Sequence, residues 1–384
     1  MNMKKLLVLA FGILLAGCAA YPAAPLSLED KVQLLMEEVQ SLKDQQSGDG
    51  LSSKLQFHGY GEIHYNQKSG VDQIDYHRFA LGWTYHFSEN ILLDGEVDFE
   101  HAGTKMELEY ANVSFLLSDA FNVRMGSLLL PIGFLNDLHE PPRFASVERP
   151  YLYNDLIPTS WSEAGLGFFG NIFPDLKYQF YMVSGLDAAN FRADSGIRKG
   201  RTGLAEAKGE NWAIAGRLEY QPISFLTLGL SGYDGGAAQG NLALGKAAVT
   251  LWETDIRTAI AGIHFTAAGV IIKLLDAGKI SAVTNKTIGE TMTGWNLEAG
   301  YDIGALFLPT PQSLQAFIRQ ESINTQETVS AGLSANPANH REITMLGLAY
   351  TPVPGVVCKT DWENGYTRAG TRWQQWNAGL GYEW

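Results

Sequence analysis

The sequence holds only two cysteines, Cys18 and Cys358, among its 384 residues. Two such distant thiols cannot build a disulfide framework, and neither a Cys-x-x-Cys-His haem site nor a metal-ligand spacing is present. Charge is also scarce, with Asp, Glu, Lys and Arg making up 18% against about 25% in ordinary globular chains. Bases are the scarcer sign. A net charge of −13 argues against a nucleic-acid partner, which calls for a basic stripe. No later stretch offers about 18 uninterrupted apolar residues, so no transmembrane helix is expected. Glycine, in contrast, is plentiful at 41 residues, with 16 Tyr and 9 Trp. Turns and aromatics in such numbers fit an all-β chain of many short strands.

The N-terminal region reads separately. Two lysines and the apolar run Leu6 to Leu15 predict a secretory signal peptide over residues 1–18, too short to span a bilayer. It ends in Leu15-Ala16-Gly17-Cys18, which resembles a lipoprotein box. Either Cys18 is lipidated or ordinary cleavage occurs nearby, such as after Ala20. Leu28, Val32, Leu35, Val39 and Leu42 form an a/d seam and predict a short periplasmic coiled-coil helix over 27–44. Residues 45–54 read as a polar linker. An exported chain without a membrane helix is either soluble or a barrel.

From Leu55 onward the chain alternates with period two. Phe79, Leu81, Trp83, Tyr85 and Phe87 share one phase of their segment, with Arg78, Thr84 and His86 on the other. Ile91, Leu93, Val97 and Phe99 oppose Asp94, Glu96, Asp98 and Glu100. In the five clearest segments every charged residue falls in the second phase. A lipid-facing surface requires this, because Arg or Lys near the bilayer midplane costs roughly 2–4 kcal/mol. Sixteen strands are predicted: 55–65, 76–87, 91–100, 106–117, 120–129, 164–171, 176–185, 212–220, 224–233, 251–267, 270–278, 295–303, 314–322, 341–351, 356–362 and 373–384. The registers of 106–117 and 251–267 are irregular, which suggests bulges. Short connections alternate with long ones, Ala268-Gly269 being read as one of the short turns. The expected fold is therefore all-β: a 16-stranded antiparallel transmembrane barrel spanning 55–384, with both chain ends in the periplasm. The closing Leu380-Gly381-Tyr382-Glu383-Trp384 resembles the terminal signal of outer-membrane barrels.

The longest connection follows strand 120–129 and has about 33 residues, a length that is usually functional. Gly126-Ser127-Leu128-Leu129-Leu130-Pro131-Ile132-Gly133-Phe134, then Val147-Glu148-Arg149-Pro150, then Gly165 and Gly170, resemble the phosphate- and polyphosphate-selective porins. The resemblance covers roughly 100 residues. It implies a homotrimer in outer-membrane lipid, with the third external loop as gate and a ladder of bases down the pore. This chain departs from that ladder. Its expected pore-lining bases are Arg78, Arg124, Lys177, Arg217, Lys273, Arg319 and Lys359. Its expected acids, more numerous, are Asp94, Glu96, Asp98, Glu100, Glu219, Glu298, Asp302 and Asp361. Glu140, Arg143, Glu148 and Arg149 either form the constriction or pin the loop to the wall. The expected function is passive diffusion of small hydrophilic solutes or ions, without cofactor or metal and without catalysis.

Two rivals remain. An enzyme barrel needs an activated serine beside a histidine, and no such constellation stands out. The early histidines His58, His64, His77 and His86 offer at most a metal reading. A barrel sheath would enclose a separate multihaem protein, or the chain would have another periplasmic partner. A sheath needs an open lumen.

Overall fold

The computed structural model describes residues 54–68, 70–202 and 207–384. The expected leader, Cys18, the heptad helix and nearly all of the linker lie outside the described residues. The chain runs through β1 (Leu55–Lys68), β2 (Val71–Ser88), β3 (Ile91–Glu100), β4 (Lys105–Leu116) and β5 (Asn122–Leu129). It continues with β6 (Ser162–Phe173), β7 (Leu176–Ser184), β8 (Trp212–Ile223), β9 (Leu226–Gly236), β10 (Ala248–Ile260) and β11 (Ile263–Leu275). The last strands are β12 (Gly289–Asp302), β13 (Ser313–Val329), β14 (His340–Val353), β15 (Val356–Thr367) and β16 (Arg372–Glu383). Two short helices lie in connections, α1 (Phe134–Asp137) and α2 (Ala277–Thr284).

The sixteen strands form one closed barrel in chain order. Closure runs antiparallel between β1 and β16, from Tyr60 opposite Glu383 to Lys68 opposite Gln375. A closed sheet has no edge, so every strand finds hydrogen-bond partners on both sides, as a backbone in lipid must.

The buried and exposed phases show which way the sheet faces. In β10, Leu251, Glu253 and Asp255 are buried while Trp252, Thr254 and Ile256 are exposed. In β15, Lys359, Asp361 and Glu363 are buried while Trp362 and Tyr366 are exposed. A water-soluble sheet would bury the tryptophans and expose the carboxylates. This sheet does the reverse, which is the arrangement of a barrel bathed in lipid.

The structure corrects three sequence expectations. The first concerns the strands placed at 251–267 and 270–278. The chain turns instead at Ala261 (φ 51°) and Gly262 (φ 79°), two successive left-handed residues of a tight hairpin turn. Ala268 and Gly269 lie mid-strand, opposite Asp255 and Thr254. Ala261-Gly262 and Ala268-Gly269 are the same dipeptide, so residue type alone does not tell the turn from the strand. The irregularity expected in 106–117 is a bulge, because Glu96 pairs with Tyr110 and Val97 with Leu108, leaving Glu109 over.

The second correction is Lys273. Its neighbours Val270, Ile272 and Leu274 alternate with it and are buried, whereas Ile271, Lys273 and Leu275 are exposed. Lys273 therefore lies on the outer face. It pairs across with Thr250 and Thr291, and Thr250 donates to Asp234 at 2.6 Å. At roughly 3.3 Å per residue and a tilt near 40°, the strand climbs about 28 Å between Gly262 and Lys273, so the lysine emerges above an apolar band about 25 Å tall.

The third correction is that not all greasy side chains point outward. A large apolar cluster sits inside the barrel. It combines inward residues of β7 to β12, such as Val183, Tyr233, Val249, Leu251 and Ile272, with loop residues Leu152, Leu156, Trp161, Leu186, Phe191 and Ile280. Where loops fold onto the inner wall, that wall is dry, and apolar side chains are favoured there.

Candidate pore constriction

The third external loop leaves β5 and re-enters at β6. Its neck is closed by Leu130 N–H donating to the Trp161 carbonyl at 2.7 Å. The buried Asn136 of α1 locks this neck. Its amide donates to the carbonyls of Leu130 (2.7 Å) and Trp161 (3.0 Å) and accepts from Trp161 N–H (2.8 Å). Gly133 precedes α1 at φ 70°, and a Cβ there would lie 2.4 Å from the Tyr153 ring. Glycine is thus required both for its backbone angle and for the close approach.

Beyond the neck, the loop is fastened to the inner wall almost all the way round. Gly133 N–H donates to Ser231 Oγ of β9 at 3.0 Å. His139 Nε2 lies 3.5 Å from Glu96 of β3. Arg143 meets Glu383 of β16 at 3.3 Å. Val147 N–H donates to Asp361 at 2.7 Å, and Lys359 Nζ donates to the Ser146 carbonyl at 2.9 Å, both from β15. Glu148 lies 3.1 Å from His64 and accepts from Asn66 at 3.0 Å, both on β1. Leu152 N–H donates to Glu321 of β13, and Tyr153 Oη to Glu253 of β10, at 3.0 and 2.9 Å. Arg341 of β14 donates to Asp155 at 2.6 Å. A segment tied to strands on opposite sides of a closed barrel must lie across its interior.

The four loop residues singled out in the sequence therefore divide. Arg143 and Glu148 reach the wall. Glu140 lies 3.9 Å from Arg143. Arg149 braces the loop itself, donating to the His139 carbonyl at 3.1 Å and to Ser160 Oγ at 3.3 Å. Burial works to raise the Glu148 carboxyl, but its bond to His64 prevails and holds it down at about 2. Burial works to lower His139, and its contact with Glu96 reverses this, so the imidazole lies above its ordinary value.

The wall charges occur in paired sets, acid beside base on neighbouring strands. Arg78 faces Asp98 (3.4 Å), Glu100 (3.3 Å) and Glu62 (3.8 Å). Arg217 faces Asp255 (2.7 Å), Glu219 (3.3 Å) and Glu253 (3.6 Å), with Arg257 bridging Asp255 and Glu219. Arg319 meets Glu298 at 2.8 Å through Nε and Glu321 at 3.9 Å. Arg124 donates to Tyr181 and covers the Phe169 ring at 4.1 Å. Asp94 accepts from Thr84 at 2.7 Å. Asp302 caps the periplasmic turn by accepting from Leu314 N–H at 3.0 Å. Lys177 lines a cavity of about 210 Å³ with Phe134, Asp137, Arg217 and Glu219. A second, polar cavity of about 430 Å³ lies against β1 to β4, where Arg78, Glu100 and Glu109 face Arg149, Arg198 and Arg201.

Sequence reasoning passed over Glu253, Asp255 and Arg257, although they stand at alternate positions of β10. The misplaced turn hid their phase. It also passed over Arg198 and Arg201, whose loop carries no periodic signal.

No family model matches the sequence. A protein of Aquifex aeolicus (strain VF5), described as an uncharacterized protein, is 32% identical over 349 residues, covering 82% of this chain and 78% of that protein. The chain belongs to that protein's family. Among solved structures, OmpF of Salmonella typhi, in complex with daunomycin, superposes with a TM-score of 0.58 at 10% identity, covering 86% of this chain and 97% of that one. The anion-selective porin from Comamonas acidovorans gives 0.56 at 10% identity over 86% and 99%. OmpT, an outer membrane protein of Vibrio cholerae in its trimer form, gives 0.55 at 11% over 86% and 99%. At these identities the likeness is one of fold. The chain is a porin-type sixteen-strand barrel of the bacterial outer membrane.

Proposed function

We propose that the barrel is a passive channel for small hydrophilic solutes and ions, narrowed by its third external loop and assembled as a homotrimer. The observation that carries this reading is the loop's attachment across the lumen, with charged cavities remaining beside it. Acids and bases pair with one another along the same stretches of wall, so neither sign forms an uninterrupted filter and the bias between anions and cations should be weak. The filled interior favours this reading over a sheath, which needs an empty lumen. The resemblance to phosphate-selective porins supports the gate and the trimer. The excess of acids speaks against phosphate as preferred cargo.

Planar-bilayer recording of the purified chain tests the reading. Stable unitary conductance and a small reversal potential in asymmetric KCl are expected, with chloride current undiminished by millimolar phosphate. Silence in the bilayer would overturn the channel. Strong block by phosphate would restore the phosphate-selective reading. Cross-linking in detergent checks the trimer.

A further inference from the structure

At the external end of the β1–β3 wall, three potential metal donors converge. Asp75 and His77 stand two residues apart on β2, so they share a face of the strand. His101 is supplied by the β3–β4 turn. The donor atoms of Asp75, His77 and His101 lie within 4.8 Å of one another. Asp75 Oδ2 is 2.7 Å from His101 Nδ1 and 3.3 Å from His77 Nδ1. In a tetrahedral zinc site with bonds of about 2.1 Å, donors lie roughly 3.4 Å apart. Small side-chain shifts would bring the three to that spacing, the ion replacing the protons now shared between them.

The backbone holds this set in place. His101 adopts φ 49° and Ala102 φ 56°, a conformation uncommon outside glycine. The turn is bonded to β2 through His101 N–H to the His77 carbonyl (3.0 Å) and Ala102 N–H to the Tyr76 carbonyl (2.9 Å). His64 stacks on His77 at 4.6 Å, and the His77 and His101 rings meet edge to face at 5.5 Å. Of the four early histidines, then, His64 and His77 come together. His58 packs against Gly82 instead. His101, which the sequence reading did not single out, completes the set.

The donors also have space before them. A cavity of about 540 Å³, lined by Asn66, Gln73, Glu148 and Gln375 as well as the three donors, borders the cluster. Two lysines lie nearby: Lys105 is engaged by Glu100 and Glu107 at 2.7 and 2.8 Å, which weakens its repulsion of a cation, and Lys68, which lines the same cavity, lies over the Trp373 ring at 5.6 Å.

We propose that Asp75, His77 and His101 bind a divalent transition-metal ion of the zinc class at the external mouth of the barrel. Two imidazoles and one carboxylate suit zinc, nickel or copper, whereas calcium and magnesium prefer oxygen donors alone. Three protein ligands leave a further coordination position open to the cavity, where water or a passing anion would bind. The site does not depend on which solutes the channel passes.

The test uses the full chain folded in detergent without a polyhistidine tag, titrated with zinc chloride by calorimetry. One equivalent of zinc should bind, and excess calcium should not displace it. His101→Gln and Asp75→Asn should each weaken binding at least about 10-fold, since even outer-sphere partners of a metal are worth 10–100-fold. His101 sits in a surface turn, so its replacement should leave the heat-modifiable gel shift of the folded barrel unchanged. Should Asp75→Asn fail that gel check, His101→Gln decides alone. X-ray absorption of the zinc-loaded wild type should show two histidine nitrogens in the first coordination sphere. Absence of stoichiometric zinc binding, binding that survives His101→Gln, or an all-oxygen coordination sphere would each overturn the site.

Discussion

The two sides of the barrel are lined on opposite principles. Against β7 to β12 the external half of the lumen is packed with Leu, Ile, Val and Trp side chains from strands and loops. Against β1 to β4 the inner face stays charged, with Arg78, Glu100 and Glu109 bordering open space and Asp98 buried behind Arg78. Both sides carry apolar residues outward, but toward the external end the inward phase of β7 to β12 is apolar too, at Val183, Val249, Leu251 and Ile272. The loops account for this. Those following β5, β7, β9 and β11 fold inward and exclude water from one wall. The connections after β1 and β3 are too short to do so, with β2 resuming at Val71 and β4 at Lys105. Water stays on that side, and so would any route for solutes.

The sharpest way to break this comparison is to remove the centre of the apolar side. Trp161 is fully buried and lies 4.9 Å from the Tyr233 ring. Trp161→Ala should cost about 3–5 kcal/mol and raise single-channel conductance as the loops loosen, seen by urea titration and bilayer recording. A comparable loss is expected from Arg319→Ala, because Glu298 and the fully buried Glu321 would lose their counter-ion. Breaking one partner of a buried pair costs about 3–5 kcal/mol. Arg319→Met together with Glu298→Gln should recover part of that loss. Tyr153→Phe removes one hydrogen bond to the Glu253 carboxylate and should cost about 1.5–3 kcal/mol, with the loop's protection from proteolysis falling accordingly.

A smaller effect concerns pH on the open side. The folded Glu148 carboxyl lies at about 2, below its ordinary 4.5. A depressed carboxyl contributes stability that is complete above the ordinary value and fades as pH falls toward the folded one. The loop's hold on β1 should therefore be intact at pH 7 and weaken progressively below about pH 4.5. Increasing current noise between pH 4.5 and 3, absent in Glu148→Gln, would show it. The smallest effect is expected from Lys273→Leu. This exposed lysine should change stability by less than about 0.5 kcal/mol and leave conductance untouched, whereas Lys359→Met, facing the lumen, should alter the loop through Ser146. A conductance change in Lys273→Leu would place that side chain back in the lumen.

Much of this architecture was legible in the residues. Trp252 and Ile256 alternating with Glu253 and Asp255 betray the facing of β10 once its ends are known. The end of β10 was not legible, because Gly262 is its single turn residue and Ala261 beside it adopts a left-handed conformation that alanine rarely takes. The loop residues Arg143 and Glu148 were recognisable as charges in a long loop, but not as partners of Glu383 and His64. Those partners lie more than eighty residues away or at the far end of the chain. Arg198, Arg201 and His101 gave no signal, since connections carry no period to read.

The sequence by itself determined the strand number, the antiparallel order and the outward apolar face, because each is a local pattern enforced by lipid against every strand in turn. Only the tertiary structure decided which part of the inner face is wet, which charges oppose each other and which donors converge at the external mouth. The reason is that a loop crossing a lumen spends its side chains on whichever strands it meets, and the alternation of a single strand records lipid on one side but not what fills the space on the other.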